Sequence, residues 1–199
     1  SVIHYREAYN IHACNGILFN HESPRRGVNF VTKKIVQGLV RIKKGKQKTL
    51  VLGNLYARRD WGHAKDYVES MWKILQNKKA DDFVIATSTS KSVKEFINLC
   101  SKKLNIKLIW KNRGLKEIAI DPKTKKTIIK VDKKYFRETE VDNLSGDSSK
   151  AKKILKWKPR YSFDDLVEDM IKMKSNINLF FPLTQSFLKK EDLLAAIKV

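Results

Sequence analysis

Short apolar runs alternate with helix-spaced apolar stripes along the first 110 or so residues. Residues 1–10 (SVIHYREAYN) read as the last turns of a helix stopped by Asn10. Residues 11–19 follow as a strand buried on both faces, since Ala13, Cys14, Ile17, Leu18 and Phe19 leave it no polar side. From Val28 to about Lys43, apolar residues at 31, 35, 39 and 42 have helical spacing, with a basic opposite face. Residues 49–52 form a short strand ending at Gly53, and 54–62 (NLYARRDWG) a loop rich in functional groups. A helix from about His63 to Gln76 is expected to bury Ala64, Tyr67, Val68, Met71, Trp72 and Leu75. Residues 83–86 make a third strand, and Ser90 is the candidate cap for a helix carrying Val93, Phe96, Ile97, Cys100 and Leu104.

Beyond a strand at 106–110, residues 117–120 and 127–131 form a hairpin over the turn Asp121-Pro122-Lys123-Thr124. An extended polar stretch, 132–147, precedes a short helix reaching Trp157, and Ser162 with Asp165 makes a capping box for a helix to about Lys174. Residues 175–199 hold an apolar knot and a final amphipathic helix with Phe187, Leu188, Leu193, Leu194 and Ile197. Two units result: 1–174, and a C-terminal extension at 175–199. Alternating strands and helices predict an α/β fold with a parallel sheet. Its few short strands leave edges that something else must cover.

Charge complicates the picture without redirecting it. A net charge of +21, from 42 Lys+Arg against 21 Asp+Glu, would favour a nucleic-acid or anionic-membrane partner if it were concentrated. It is instead spread as lysine pairs along the whole chain, which argues against nucleic acid and for a lysine-biased surface. No apolar run approaches the roughly 18–20 residues of a membrane span. Two cysteines without metal-type spacing point to a reducing compartment, so the chain reads as cytoplasmic.

Three stretches concentrate chemistry. In residues 15–27 (NGILFNHESPRRG), an apolar run ends in Asn20-His21 and opens into Arg25-Arg26-Gly27 ahead of a helix. Arginine forks pair bidentately with phosphate, and ligands in open α/β sheets lie beyond the carboxyl ends of strands. Residues 58–63 (RRDWGH) place arginine, aspartate and tryptophan together at a helix start; a plain Asp60–Arg pair is the simpler alternative. Residues 135–140 (YFRETE) supply an arginine for phosphates and a carboxylate able to accept two sugar hydroxyls. The eight glycines never take G-x-G-x-x-G spacing, no P-loop occurs, and His21-Glu22 lacks the second histidine of a zinc helix because position 25 is arginine. The residues alone support an anion-binding half-domain with no catalytic group and no metal site.

Together with FVIAT (83–87) and YFRETEVDNLSGDSSKAKKILKWKP (135–159), these blocks closely resemble the C-terminal half of the GDP-mannose 4,6-dehydratases, extended short-chain dehydrogenase/reductases, from about Tyr5 to Met173. The resemblance implies the C-terminal part of a modified Rossmann (NAD(P)-binding) fold with its nucleotide-sugar-binding subdomain, the N-terminal dinucleotide-binding half lying outside this chain. It implies a lyase that uses NADP to convert GDP-mannose into GDP-4-keto-6-deoxymannose, a step toward GDP-fucose and other deoxyhexoses. By position, His21, Arg25 and Arg26 match the cofactor region, the arginine loop reaching a neighbouring subunit, which implies a homo-oligomer, dimer or tetramer. Asn20, Lys34, Arg59, Arg137 and Glu140 match positions that hold the GDP-sugar. The family's catalytic Thr, Glu, Tyr and Lys belong upstream of Ser1, so no catalytic residue is assigned here and the chain alone is expected to be inactive. Where the family carries a proline after the arginine of Tyr-Phe-Arg, this chain has Glu138. The alternative is a non-catalytic GDP-sugar-binding or regulatory module that pairs with a separate N-terminal half.

Overall fold

A computed structural model describes residues 1–136 and 141–176. Helix α1 (Val2–Tyr9) ends at Asn10, which adopts the left-handed conformation (φ 52°) that stops a helix. Strand β1 (Gly16–Leu18) leads directly into β2 (Asn20–Glu22), and helix α2 (Val31–Lys43) follows, starting three residues later than its apolar pattern suggests. Next come β3 (Leu50–Leu52), β4 (Arg58–Arg59), β5 (Trp61–His63), helix α3 (Ala64–Gln76), β6 (Phe83–Ile85), β7 (Lys91–Ser92) and helix α4 (Val93–Lys103). The remainder comprises β8 (Ile109–Lys111), β9 (Ile118–Ile120), β10 (Thr127–Val131), β11 (Asn143–Leu144), and helices α5 (Ser149–Ile154) and α6 (Phe163–Asn176).

The strands divide into four small sheets: β1 with β6, β2 with β5, β3-β10-β9-β8, and β11-β4-β7. The pairs β1/β6, β2/β5, β3/β10 and β4/β11 are parallel, while β8, β9 and β10 form an antiparallel meander. The hairpin at 118–131 is as the sequence predicts. Asp121 closes its turn by accepting from the amides of Lys123 (2.7 Å) and Thr124 (3.2 Å).

Two apolar clusters hold these pieces. The larger one stacks α2, α4 and α6 against one another and against β3 and β10 through Ile35, Leu39, Phe96, Ile97, Ile129, Leu166 and Met170. Every apolar position expected on α4 is buried: Val93, Phe96, Ile97, Cys100 and Leu104. The smaller cluster, Tyr67, Ile74, Phe83, Ile85, Leu155 and Trp157, packs α3 and α5 on the β1/β6 pair.

Several expectations are corrected. The strand at 11–19 shrinks to Gly16–Leu18, and it is not buried on both faces, since Ile17 is 54% exposed. β1 is paired with β6, and among the described residues it has no second neighbour to cover that side. Residues 54–62 are not simply a loop but contribute β4 and the start of β5. The strand at 106–110 is shorter, and it joins the antiparallel meander rather than a parallel sheet. Ser90 is not the cap of α4. Ser92 is, in a complete capping box with Glu95: Ser92 Oγ accepts from the Glu95 amide at 3.1 Å, and Glu95 accepts from the Ser92 amide at 2.7 Å.

The largest error concerns α3. It buries Asp66, Tyr67, Ser70 and Ile74 and leaves Val68, Met71, Trp72 and Leu75 exposed, Trp72 by 62%. Polar partners turned the helix. The Asp66 carboxylate accepts from the amides of Arg160 and Tyr161, both at 3.1 Å, and the Asp66 carbonyl accepts from Trp157 Nε1 at 2.9 Å. A buried carboxylate anchored through Oδ2 by two backbone amides fixes the rotation of a helix that apolar area alone would leave open.

Candidate functional site

The β2/β5 ladder sets Asn20 opposite Trp61 and His21 opposite Gly62. Arg59 is carried to the same region by β4, which lies parallel to β11 and antiparallel to β7. Lys34 arrives from the first turn of α2. Beyond the end of β3 the chain passes Gly53 and Asn54, and the one-turn 3₁₀ helix Lys133–Tyr135 brings Tyr135 over it. The result is a cavity of about 490 Å3 lined by Asn20, Glu22, Asn29, Phe30, Lys34, Gly53, Asn54, Arg59, Trp61 and Tyr135, among others. Three separate elements thus supply an amide, an ammonium and a guanidinium to one space.

Lys34 Nζ lies 3.9 Å from the centre of the Tyr135 ring. Burial draws its ammonium below the ordinary lysine pKa, so an arriving anion meets a cation that water solvates poorly. Arg59 Nη1 donates to the carbonyls of Arg58 (2.8 Å) and Val141 (2.6 Å), which orient the guanidinium. The acid in the lining is already committed. Buried Glu22 accepts from Thr32 Oγ1 at 2.7 Å and pairs with Arg26 Nε at 3.2 Å. Its carboxyl is raised above the usual range by burial, against the opposing pull of Thr32 and Arg26. Among the described lining residues, the cations Lys34 and Arg59 stand beside the flat faces of Phe30, Trp61 and Tyr135, groups that suit a phosphate-bearing, ring-containing ligand.

A neighbouring shallow cavity of about 360 Å3 is walled by Ile17, Leu18, Phe19, Asn20, His21, Arg26 and Leu144. His21 Nδ1 lies 2.9 Å from the Phe19 carbonyl, and its ring packs on Tyr67 at 4.9 Å. Arg25 is exposed. Arg26 is turned inward onto Glu22, its guanidinium carbon 3.4 Å from the centre of the Phe30 ring.

Of the residues proposed from sequence, the fold brings Asn20, Lys34 and Arg59 together and sets His21 and Arg26 along the adjoining wall. Arg137 and Glu140 lie outside the described residues. Sequence reasoning missed Asn54, Phe30 and Gly53 as site residues. Gly53 carried a readable signal as the residue closing a strand: a Cβ there would lie 2.1 Å from the Tyr135 carbonyl oxygen. Gly53→Ala must therefore push the Tyr135 turn off the cavity. We expect it to lower stability by about 1–3 kcal/mol in denaturant unfolding and to weaken ligand binding at the same time.

The sequence itself carries the remaining information. A profile of the family described as GDP-mannose 4,6 dehydratase matches residues 1–170. The chain belongs to the GDP-mannose 4,6-dehydratase family. It is 52% identical over 170 residues to the GDP-mannose 4,6 dehydratase of Dictyostelium discoideum, an alignment covering 85% of this chain and 48% of that protein. Against the Homo sapiens enzyme the identity is also 52%, over 85% of this chain and 46% of the relative. The chain thus spans about half the length of the curated relatives it matches.

Solved structures agree on the fold at low identity. RMD from Pseudomonas aeruginosa, complexed with NADPH, superposes with a TM-score of 0.70 at 15% identity, over 86% of this chain and 51% of that one. dTDP-glucose 4,6-dehydratase from Bacillus anthracis, in complex with NAD, gives 0.68 at 16% identity, over 89% and 50%. The α/β architecture with parallel strand pairs is that of the Rossmann-type epimerases and dehydratases, as the sequence predicts.

Proposed function

We propose that this chain supplies the GDP-mannose-holding side of a GDP-mannose 4,6-dehydratase site. The observation that carries the reading is the convergence of Asn20, Lys34 and Arg59 on one cationic, aromatic-walled cavity. In it Lys34 and Arg59 take the diphosphate, Asn20 donates from the strand end, and Arg137 and Glu140 complete the phosphate and ribose contacts. Two oriented cations in a half-buried cavity suit a diphosphate, because charge-assisted hydrogen bonds strengthen where water is excluded.

NADP would supply reversible hydride transfer to such a site. The residues here fit only one flank of that cofactor: an apolar wall ending in His21, with exposed Arg25 beside it. Arg26 is already neutralised by Glu22, so an arginine reaching a neighbouring subunit would be Arg25. What these 199 residues do is bind and orient the nucleotide sugar. Among the described lining residues the one carboxylate, Glu22, is tied to Thr32 and Arg26 and is not placed to move the sugar's protons, so binding without turnover is the expected behaviour.

The test is to titrate the purified chain with GDP-mannose and then assay it with added NADP. Binding without formation of the 4-keto-6-deoxy sugar is the predicted result. Robust product formation, or no binding, contradicts the proposal. The exposed side of β1 supports a second element of the reading, in which a dinucleotide-binding half, on the same or a separate polypeptide, extends this sheet. Mixing the chain with the N-terminal half of a relative should give a complex by sizing; two independent species would contradict this.

A further inference from the structure

Asp60, the residue after Arg59, is fully buried, and among the described residues it is held by hydroxyl and amide donors rather than by an arginine. Its Oδ1 accepts from the Thr87 amide (2.8 Å) and the Thr87 hydroxyl (2.6 Å), and its Oδ2 from the amides of Ser88 (2.9 Å) and Gly146 (3.3 Å). All four donors are neutral, and they come from two segments distant in sequence: the turn leaving β6 and the chain leaving β11. One carboxylate thereby ties the end of the β1/β6 sheet to the end of the β11-β4-β7 sheet, with itself one residue beyond β4.

Neighbouring details indicate that this junction is under constraint. Ser88 adopts a positive φ of 63°, uncommon for a residue with a side chain, and is held there by Asp60 and by its hydroxyl lying 3.0 Å from that of Ser148. Gly146 passes so close to the strand ends that a Cβ would lie 2.4 Å from Ala86 Cβ and 2.8 Å from the Phe19 ring. Phe19 precedes Asn20. The segments bearing Asn20 and Arg59 are therefore locked together around Asp60, whose carboxyl oxygens are held by three backbone amides and one hydroxyl.

We propose that Asp60 is a positioning residue for the nucleotide-sugar site: by clamping both sheet ends it fixes the Arg59 guanidinium relative to Asn20. The proposal rests on the reading of the cavity as a GDP site. Asp60→Asn keeps the volume and replaces one acceptor oxygen by an NH2 facing donors, so one side of the clamp opens.

The experiment is a double-mutant cycle on GDP affinity, measured by calorimetry for the wild-type chain, Asp60→Asn, Arg59→Ala and the double variant, together with amide hydrogen exchange. We expect Asp60→Asn to weaken GDP by about tenfold in the wild-type background and to add little once Arg59 is gone, because its effect passes through Arg59. A full, additive loss in the Arg59→Ala background, or unchanged affinity, overturns the proposal, since a general structural role would not vanish with Arg59.

Exchange decides the matter independently of the ligand. Asp60→Asn should release the amides of Thr87, Ser88 and Gly146 together with that of Arg58, which bonds the Asp142 carbonyl at 2.7 Å in β4. Release of the first three with Arg58 still protected overturns it. Wild-type chain that binds no GDP would refute the cavity's assignment, and the exchange pattern would still judge the clamp. If Asp60→Asn does not fold, Thr87→Val removes one donor of the four and should show the same pattern in smaller measure; no change in Arg58 protection with it counts against the proposal.

Discussion

We expect Arg59→Ala to weaken GDP binding by about 10- to 100-fold, the cost of deleting one charge-assisted hydrogen bond from the proposed diphosphate site. The effect exceeds that of an ordinary surface arginine because the Arg59 guanidinium is pre-oriented by the carbonyls of Arg58 and Val141. Little of its binding energy goes to ordering the side chain. Equilibrium titration at fixed ionic strength measures it. An unaltered affinity in the variant would show that Arg59 does not meet the phosphates. Arg58, its neighbour, serves as the control: it pairs with Glu95 at 3.0 Å and bonds the Ser90 carbonyl at 2.7 Å, facing away from the cavity lining.

We expect Trp157→Ala to lower global stability by about 3–5 kcal/mol, the range for deleting a large aromatic from a core. Trp157 is only 1% exposed, packs edge-on to Tyr67 at 6.2 Å, and donates to the Asp66 carbonyl. It fastens the segment after α5 to α3, and α3 in turn covers β1 and β6. Since domain stabilities are commonly about 5–15 kcal/mol, the variant should be largely unfolded in mild denaturant where the parent is folded. A shift of less than about 1 kcal/mol would mean that this cluster is not the keystone of the β1/β6 pair.

The sequence read most clearly where period and chemistry agreed. On α4 the apolar spacing had no competitor, and Val93, Phe96, Ile97, Cys100 and Leu104 all went inside. On α3, Val68, Met71, Trp72 and Leu75 offered more apolar area than the face that was buried. Asp66 and Ser70 went inside because specific partners awaited them: amides after Trp157 for Asp66, and the Tyr67 carbonyl for Ser70. Such partners lie far along the chain or depend on local geometry, and hydrophobic periodicity does not register them. The cap of α4 failed for a smaller reason. Ser90 and Ser92 are equivalent as serines, but only Ser92 has Glu95 three residues on.

Asn20 and Arg59 were legible as polar groups in chemistry-rich stretches at strand ends, whereas Lys34, one lysine on the basic face of a helix, entered the set only through the resemblance to the family. Their convergence required the β2/β5 register and the β4/β11 ladder, both short parallel pairings between distant segments. Asp60 was legible only as a possible partner of an arginine. Three of its four donors are backbone amides, which almost any residue type could have supplied.

The most direct test of the central claim is crystallographic: diffraction from crystals of the 199-residue chain soaked with GDP. The account predicts diphosphate density between the Lys34 ammonium and the Arg59 guanidinium, with Asn20 alongside and Tyr135 at the cavity wall. GDP seated on a different face, with Lys34 and Arg59 contacting none of its phosphates, would contradict it.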